Sequence, residues 1–280
     1  MLELDYFFIL GNPRSGTSMF RMMLNANPYI IVPPECGFSH WLSDKYKSAK
    51  CNTKTYRLFA RDVFNSKKFE TWQTTEQDIF SVLCKQLPKD YESMVKCVYI
   101  AYGNKKGVKA VGDKNNYYIQ YTTELINLFP DAKFLHIIRD GRDVACSYQD
   151  LKTVSIEHKY KPNLPTEIND IATEWSKNND MLSKELTKNK LVVKYEDLIE
   201  SPTDVLTKVC EFIGVPFSKE MIDFYKLNDE PKELMAWKGK TNHAVDINNK
   251  NKYLIQLNQT EIDNFNSVAG HTLRHFGYKV

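Results

Sequence analysis

The chain has 280 residues, 42% of them hydrophobic, and a formal net charge of +3. That is enough apolar content for one large core, and too mild and interleaved a charge to argue for a nucleic-acid partner. Nothing approaches the roughly 20 apolar residues of a membrane span, and the cysteines at 36, 51, 84, 97, 146 and 210 form neither a Cys-x-x-Cys pair nor a zinc-type Cys/His spacing, so no metal site is expected.

Glu3 and Asp5 interrupt the start, and Gly11 ends a very short apolar run. This is not a signal-peptide pattern, so a cytoplasmic chain with reduced thiols is expected. Hydrophobic periodicity predicts strands at 5–10, 29–32, 96–100, 109–112, 133–138 and 190–194. Helices are predicted at 16–26, 54–66, 75–87, 117–129, 141–152, 167–188, 202–213 and 260–275. The alternation implies a three-layer α/β fold around a mainly parallel sheet, in one domain over 1–280. Segments 157–169 and 228–252, rich in Pro, Asn, Lys and Gly, are the loop candidates and read as active-site lids or surface excursions. Asn258-Gln259-Thr260 fits a glycosylation sequon, which carries no weight without an export signal.

The first strand runs into Gly11-Asn12-Pro13-Arg14-Ser15-Gly16-Thr17-Ser18, a phosphate-binding loop without its usual lysine. An ATP- or GTP-hydrolysing loop needs Gly-x-x-x-x-Gly-Lys-Ser/Thr, and here Thr17 stands in the lysine position. Arg14 inside the loop offers a fixed bidentate cation, and the backbone N–H groups of residues 15–18 open a helix toward the same anion. A plain strand-to-helix turn with a capping Ser or Thr is the alternative. Further on, the strand at 134–138 ends in Arg139 where a magnesium-binding NTPase would present an aspartate. The plain alternative for this segment is a surface Arg/Asp turn in which Asp140 caps the helix that follows.

Arg-Ser-Gly-Thr-Ser after an N-terminal strand resembles the 5′-phosphosulfate loop of sulfotransferases that use 3′-phosphoadenosine 5′-phosphosulfate (PAPS). Arg139, followed eight residues later by Ser147, resembles the 3′-phosphate motif of that family. Tyr195 in Val193-Lys194-Tyr195-Glu196-Asp197-Leu198 is similar to the tyrosine that lies against adenine. The resemblance therefore implies a PAPS site made of Arg14, Ser15, Gly16, Thr17, Ser18, Arg139, Ser147 and Tyr195. Asn251-Lys252-Tyr253 stands where relatives carry a basic residue before tryptophan, so Lys252 is a candidate for the 3′-phosphate, with Lys238 competing.

Pro33-Pro34-Glu35-Cys36-Gly37 is similar to the segment in which tyrosylprotein sulfotransferases and their bacterial relatives place a glutamate. The resemblance makes Glu35 the base that takes the acceptor's proton, provided burial and nearby groups raise its pKa toward the working pH. His40 is the competing base. Lys114 matches a lysine near the transferred group, so it and Arg14 are assigned to charge stabilisation. Asp113 either orients Lys114 or caps the next helix, and Tyr117, Tyr118 and Tyr121 are either core or acceptor-pocket wall. The implied activity is sulfuryl transfer from PAPS to a hydroxyl of a carbohydrate, lipid, small molecule or tyrosyl group, without metal, releasing adenosine 3′,5′-bisphosphate (PAP). A P-loop small-molecule kinase using ATP-Mg and an inactive PAP-binding protein are the two rival readings.

Overall fold

The computed structural model describes residues 4–103, 105–152, 159–231, 235 and 239–280. Five strands, β1 (Asp5–Leu10), β2 (Ile30–Ile31), β3 (Ala110–Lys114), β4 (Lys133–Ile138) and β5 (Lys190–Lys194), form one sheet in the order β2-β3-β1-β4-β5. Every pairing is parallel, as crossover helices require. The first strand is central, so the chain builds outward to β3 and β2 on one side and to β4 and β5 on the other. Open sheets bind ligands at such a reversal, beyond the carboxyl ends of the strands.

β1 is buried on both faces, which explains its continuous apolar run. Tyr6, Phe8 and Leu10 pack into one core with Val111, Phe134 and the helices Thr53–Phe64, Glu76–Gln86 and Tyr91–Gly103. Phe7 and Ile9 pack into another with Ile137, Val193 and the helices Thr17–Ala26 and Pro202–Ile213. A third cluster joins Ile138 to Val144, Trp175 and Phe265 at one end of the sheet.

The segment 96–100, expected as a strand, lies inside the Tyr91–Gly103 helix. Its Val, Tyr and Ile content mimics a buried strand, but Met94, Val95, Cys97, Val98 and Tyr99 are all buried on a helix under the sheet. A short apolar run does not distinguish the two, and burial overrides β-propensity. The helix expected at 117–129 begins as the 3-10 turn Asn116–Tyr121 and becomes α-helical at Thr122–Leu128. Asn115, not Asp113, caps that turn, accepting from Tyr117 N at 3.1 Å. Asn258 of the sequon caps the Gln259–His275 helix in a reciprocal box with Glu261. No helix among the described residues is long and apolar enough to cross a membrane.

Candidate functional site

At the carboxyl edge of the sheet, the exits of all five strands converge. Arg14, Glu35, Lys114, Arg139 and Tyr195 follow or end β1, β2, β3, β4 and β5 respectively, and all five line one cavity of about 370 Å³. Gly16, Thr17, Ser18 and Ser147 line it too.

The loop after β1 is shaped by two left-handed residues, Arg14 at φ 68 and Gly16 at φ 90. The Thr17–Ala26 helix starts at Gly16 with no side-chain cap and no acidic residue in its first turn. Its first N–H groups therefore stay open to an anion at the positive end of the helix. Ser15 differs from expectation. Its N–H is spent inside the loop on Asn12 O at 3.2 Å, and its hydroxyl is buried behind the loop, off the cavity wall.

Arg14 and Arg139 stand side by side. Arg139 Nη1 lies 3.5 Å from the Arg14 carbonyl oxygen, and burial followed by the Arg139 charge depresses the Arg14 guanidinium below its ordinary pKa. Arg14 Nε donates to Ser147 Oγ at 3.1 Å, so Ser147 meets the loop arginine as well as sharing the Arg139 side of the cavity. Arg139 is aimed by three neighbours: its Nη2 donates to Asn249 O at 2.9 Å, lies 3.6 Å from Asp143 Oδ2, and its guanidinium sits 4.6 Å from the Tyr195 ring centre. Asp140 caps the following helix, accepting from Arg142 N at 2.9 Å. Tyr195 OH accepts from Asn249 Nδ2 at 2.6 Å.

On the other side, Glu35 is held between two ammonium groups. Lys68 Nζ donates to Oε2 at 2.8 Å and Lys114 Nζ donates to Oε1. Lys114 also approaches Ser18 Oγ at 3.5 Å, linking the carboxylate to the phosphate loop. Burial opposes the Lys68 charge, but Glu35 outweighs it and holds that ammonium above the usual lysine pKa. The groups nearest Glu35 are thus two cations, reaching it from β3 and from the turn after the Thr53–Phe64 helix.

Asp113 neither orients Lys114 nor caps a helix. It faces the opposite side of β3, where Oδ2 accepts from Tyr99 OH at 2.5 Å, Tyr118 OH at 2.7 Å and Ser39 Oγ at 2.9 Å. Burial outweighs these bonds and pushes the carboxyl up to about 6. Tyr117 reaches the cavity wall, while Tyr118 is fully buried core. His40 is off the wall, its Nδ1 3.2 Å from Tyr117 OH in an aromatic group with Tyr121.

Lys252 heads the short helix Tyr253–Gln256 away from the wall, where Tyr253 N is tied to Asp143 Oδ1 at 3.1 Å. Lys238 lies outside the described residues. Sequence reasoning missed Lys68, Tyr160, Pro162, Thr241 and Asn249, all of which line the cavity. Four of them fall in the two segments read as loop candidates, which was the available signal. Lys68 had none.

Two arginines at neighbouring strand tips, a helix N-terminus without a side-chain cap and a carboxylate held by two lysines stand at one edge of an α/β protein with an all-parallel sheet. A family model described as the sulfotransferase family matches residues 6–219. The chain belongs to the sulfotransferase family. Protein-tyrosine sulfotransferase A of Caenorhabditis elegans is 23% identical over 98% of this chain and 67% of its own length. The protein-tyrosine sulfotransferase of Drosophila melanogaster is 22% identical over 82% of this chain, which spans only 42% of that relative. In solved structures, the sulfotransferase domain from the curacin biosynthetic pathway matches the fold with TM-score 0.62 at 18% identity over 99% of both chains. The sulfotransferase domain from the Synechococcus PCC 7002 olefin synthase gives 0.60 at 20% identity over 99% of this chain and 96% of that one.

Proposed function

We propose that this chain transfers a sulfuryl group from PAPS to the hydroxyl of an acceptor, releasing PAP. The observation that carries this reading is the pairing of the buried Arg139 with the half-buried Arg14: Arg139 donates to the Arg14 carbonyl at 3.5 Å, its charge adds to burial in depressing the Arg14 guanidinium, and both residues line one cavity. Such a pair is costly alone and is relieved by a ligand with two anionic groups. Arg139 Nε is buried without a hydrogen-bond partner among the described residues, a donor that suits a 3′-phosphate.

In this reading Arg14, Gly16, Thr17 and Ser18 hold the 5′ side, Arg139 and Ser147 the 3′-phosphate, and Tyr195 the base. Glu35 takes the acceptor's proton. Arg14 and Lys114 stabilise charge on the bridging side, and fixed cations of this kind supply acceleration without a metal. Curated relatives named protein-tyrosine sulfotransferases put a tyrosyl hydroxyl first among acceptors, ahead of carbohydrate, lipid and small-molecule alcohols. The wall draws residues from Pro13 to Asn249, positions spread over most of the chain, which supports treating 1–280 as one domain. Six unpaired cysteines fit the expected cytoplasmic, reducing environment.

A thermal-shift comparison of PAP, PAPS, ATP-Mg and ADP-Mg tests the donor, because a ligand stabilises only the state it binds. Stabilisation by PAP and PAPS is expected; stabilisation by ATP-Mg alone refutes the reading. Labelled PAPS incubated with tyrosyl peptides, phenols, sugars and alcohols then tests transfer.

A further inference from the structure

Lys68 enters the site from a segment with no recognisable motif. It precedes the 3-10 turn Phe69–Trp72 and holds a left-handed backbone, φ 72. That conformation strains a residue with a Cβ and is retained where the surroundings over-determine it. Here they do. Cys36 Sγ donates to Lys67 O at 3.4 Å and Trp72 Nε1 to Pro34 O at 2.9 Å, so the turn is bound on both sides of Glu35.

The two lysines on Glu35 are not equivalent. Lys114 is a strand residue with a side chain 2% exposed, also near Ser18 of the phosphate loop. Lys68 is 22% exposed and its Nζ lies 5.6 Å from the ring centre of Tyr160, another cavity-wall residue. One cation therefore serves the donor side, and the other stands on the far side of the carboxylate. With one ammonium on each oxygen, the carboxylate plane is pinned.

We propose that Lys68 is a positioning residue for sulfuryl transfer: it fixes Oε2 of Glu35 against the pull of Lys114 and keeps that carboxylate ionised at the cavity wall. The inference rests on the reading of Glu35 as the base. A like charge opposes it, because the buried Asp113 carboxyl on β3 interacts with Glu35. Glu70, beside Lys68, is occupied by Lys159 at 2.7 Å and by Tyr160 OH at 2.5 Å. Removing the Lys68 charge would take one of two ammonium groups from Glu35 while the opposing Asp113 charge stays.

Glutamate-selective 13C labelling of the full chain reads the Glu35 carboxyl directly, with Glu35→Gln assigning the resonance. Lys68→Met is expected to raise the titration midpoint of Glu35 by about one pH unit or more, the scale of losing a hydrogen-bonded opposite charge. Lys68→Arg, which keeps the charge, is expected to restore most of that shift. A role in stability alone would lower the melting temperature and leave the midpoint in place, and an unmoved midpoint in folded Lys68→Met overturns the proposal. If that variant shows no cooperative melt, Lys68→Gln enters the same titration with the same two outcomes. Turnover by Glu35→Gln with labelled PAPS and a tyrosyl peptide would instead remove the base assignment, a failure the titration keeps separate.

Discussion

The ring of Tyr195 fills the space a side chain on Gly16 would need: a Cβ built there would come within 2.5 Å of Tyr195 Cδ2. The exit of β5 thereby presses on the phosphate loop after β1, and the missing side chain makes that approach possible.

Gly16→Ala combines this clash with a left-handed φ of 90. It is expected to cost about 1–3 kcal/mol of stability and to weaken PAP binding by roughly tenfold or more. Gly107→Ala, at φ 74 with open space around it, supplies the control: strain without loss of affinity. Calorimetric titration and melting curves decide between them, and equal PAP affinity in both variants would dissociate Tyr195 from the loop.

Arg139→Ala removes a buried guanidinium with an unpaired Nε. PAP affinity should fall by about 1.5–3 kcal/mol, the usual worth of a hydrogen bond to a charged group, while Ser147→Ala should cost about 0.5–1.5 kcal/mol. A negligible change at Arg139 by isothermal titration would displace the 3′-phosphate site.

Glu35→Gln should abolish transfer from labelled PAPS and leave PAP affinity nearly intact. His40→Gln should retain transfer, because His40 lies off the cavity wall. The reverse pattern in an end-point assay would exchange the two roles.

Two buried groups titrate in opposite senses over one pH window. Asp113 keeps its proton to about pH 6 in the fold but ionises at about 3.9 in the unfolded chain, so its contribution to stability falls as pH rises through that interval. Burial lowers His136 to about 4, with its Nε2 bonded to Asn179 Oδ1 at 3.0 Å. Its unfolded value is about 6.5, so its contribution falls as pH drops from there toward 4. Asp113→Asn should therefore steepen the loss of stability on acidification, and His136→Gln should steepen the loss on raising the pH from 4 to 6. Urea midpoints across this range measure both slopes; parallel curves for all three proteins would contradict the assignment.

Arg21 is fully buried and bonds Asp229 at 2.6 Å, Glu230 at 3.0 Å and Val32 O at 2.8 Å. Removing one partner of a buried charge cluster leaves the others unpaired, so Arg21→Met should destabilise by about 3–5 kcal/mol. A loss below about 1 kcal/mol by urea unfolding would mean that water replaces the guanidinium.

Much of the site was legible because anion binding by a strand-to-helix loop is a local geometry. Gly11, Arg14, Gly16 and Ser18 lie within eight consecutive residues, and Arg139 and Ser147 lie on one strand exit and the helix behind it. The wrong strand at 96–100 had the opposite cause. Val98 and Tyr99 are buried on a helix facing the sheet, and a residue's burial is common to both structures while its period is not readable over five positions.

The amino-acid order alone determined the elements whose physics is short-ranged: the β1 apolar run, the lysine-free phosphate loop, the arginine ending β4 and the tyrosine after β5. Only the tertiary structure decided which distant charges meet. Lys68 and Lys114 reach Glu35 from 33 and 79 residues away, and Asn249 rather than Lys252 comes to Arg139 and Tyr195. Coulomb and hydrogen-bond energies depend on separation in space, and that separation exists only once the sheet has brought its five strand ends to one edge.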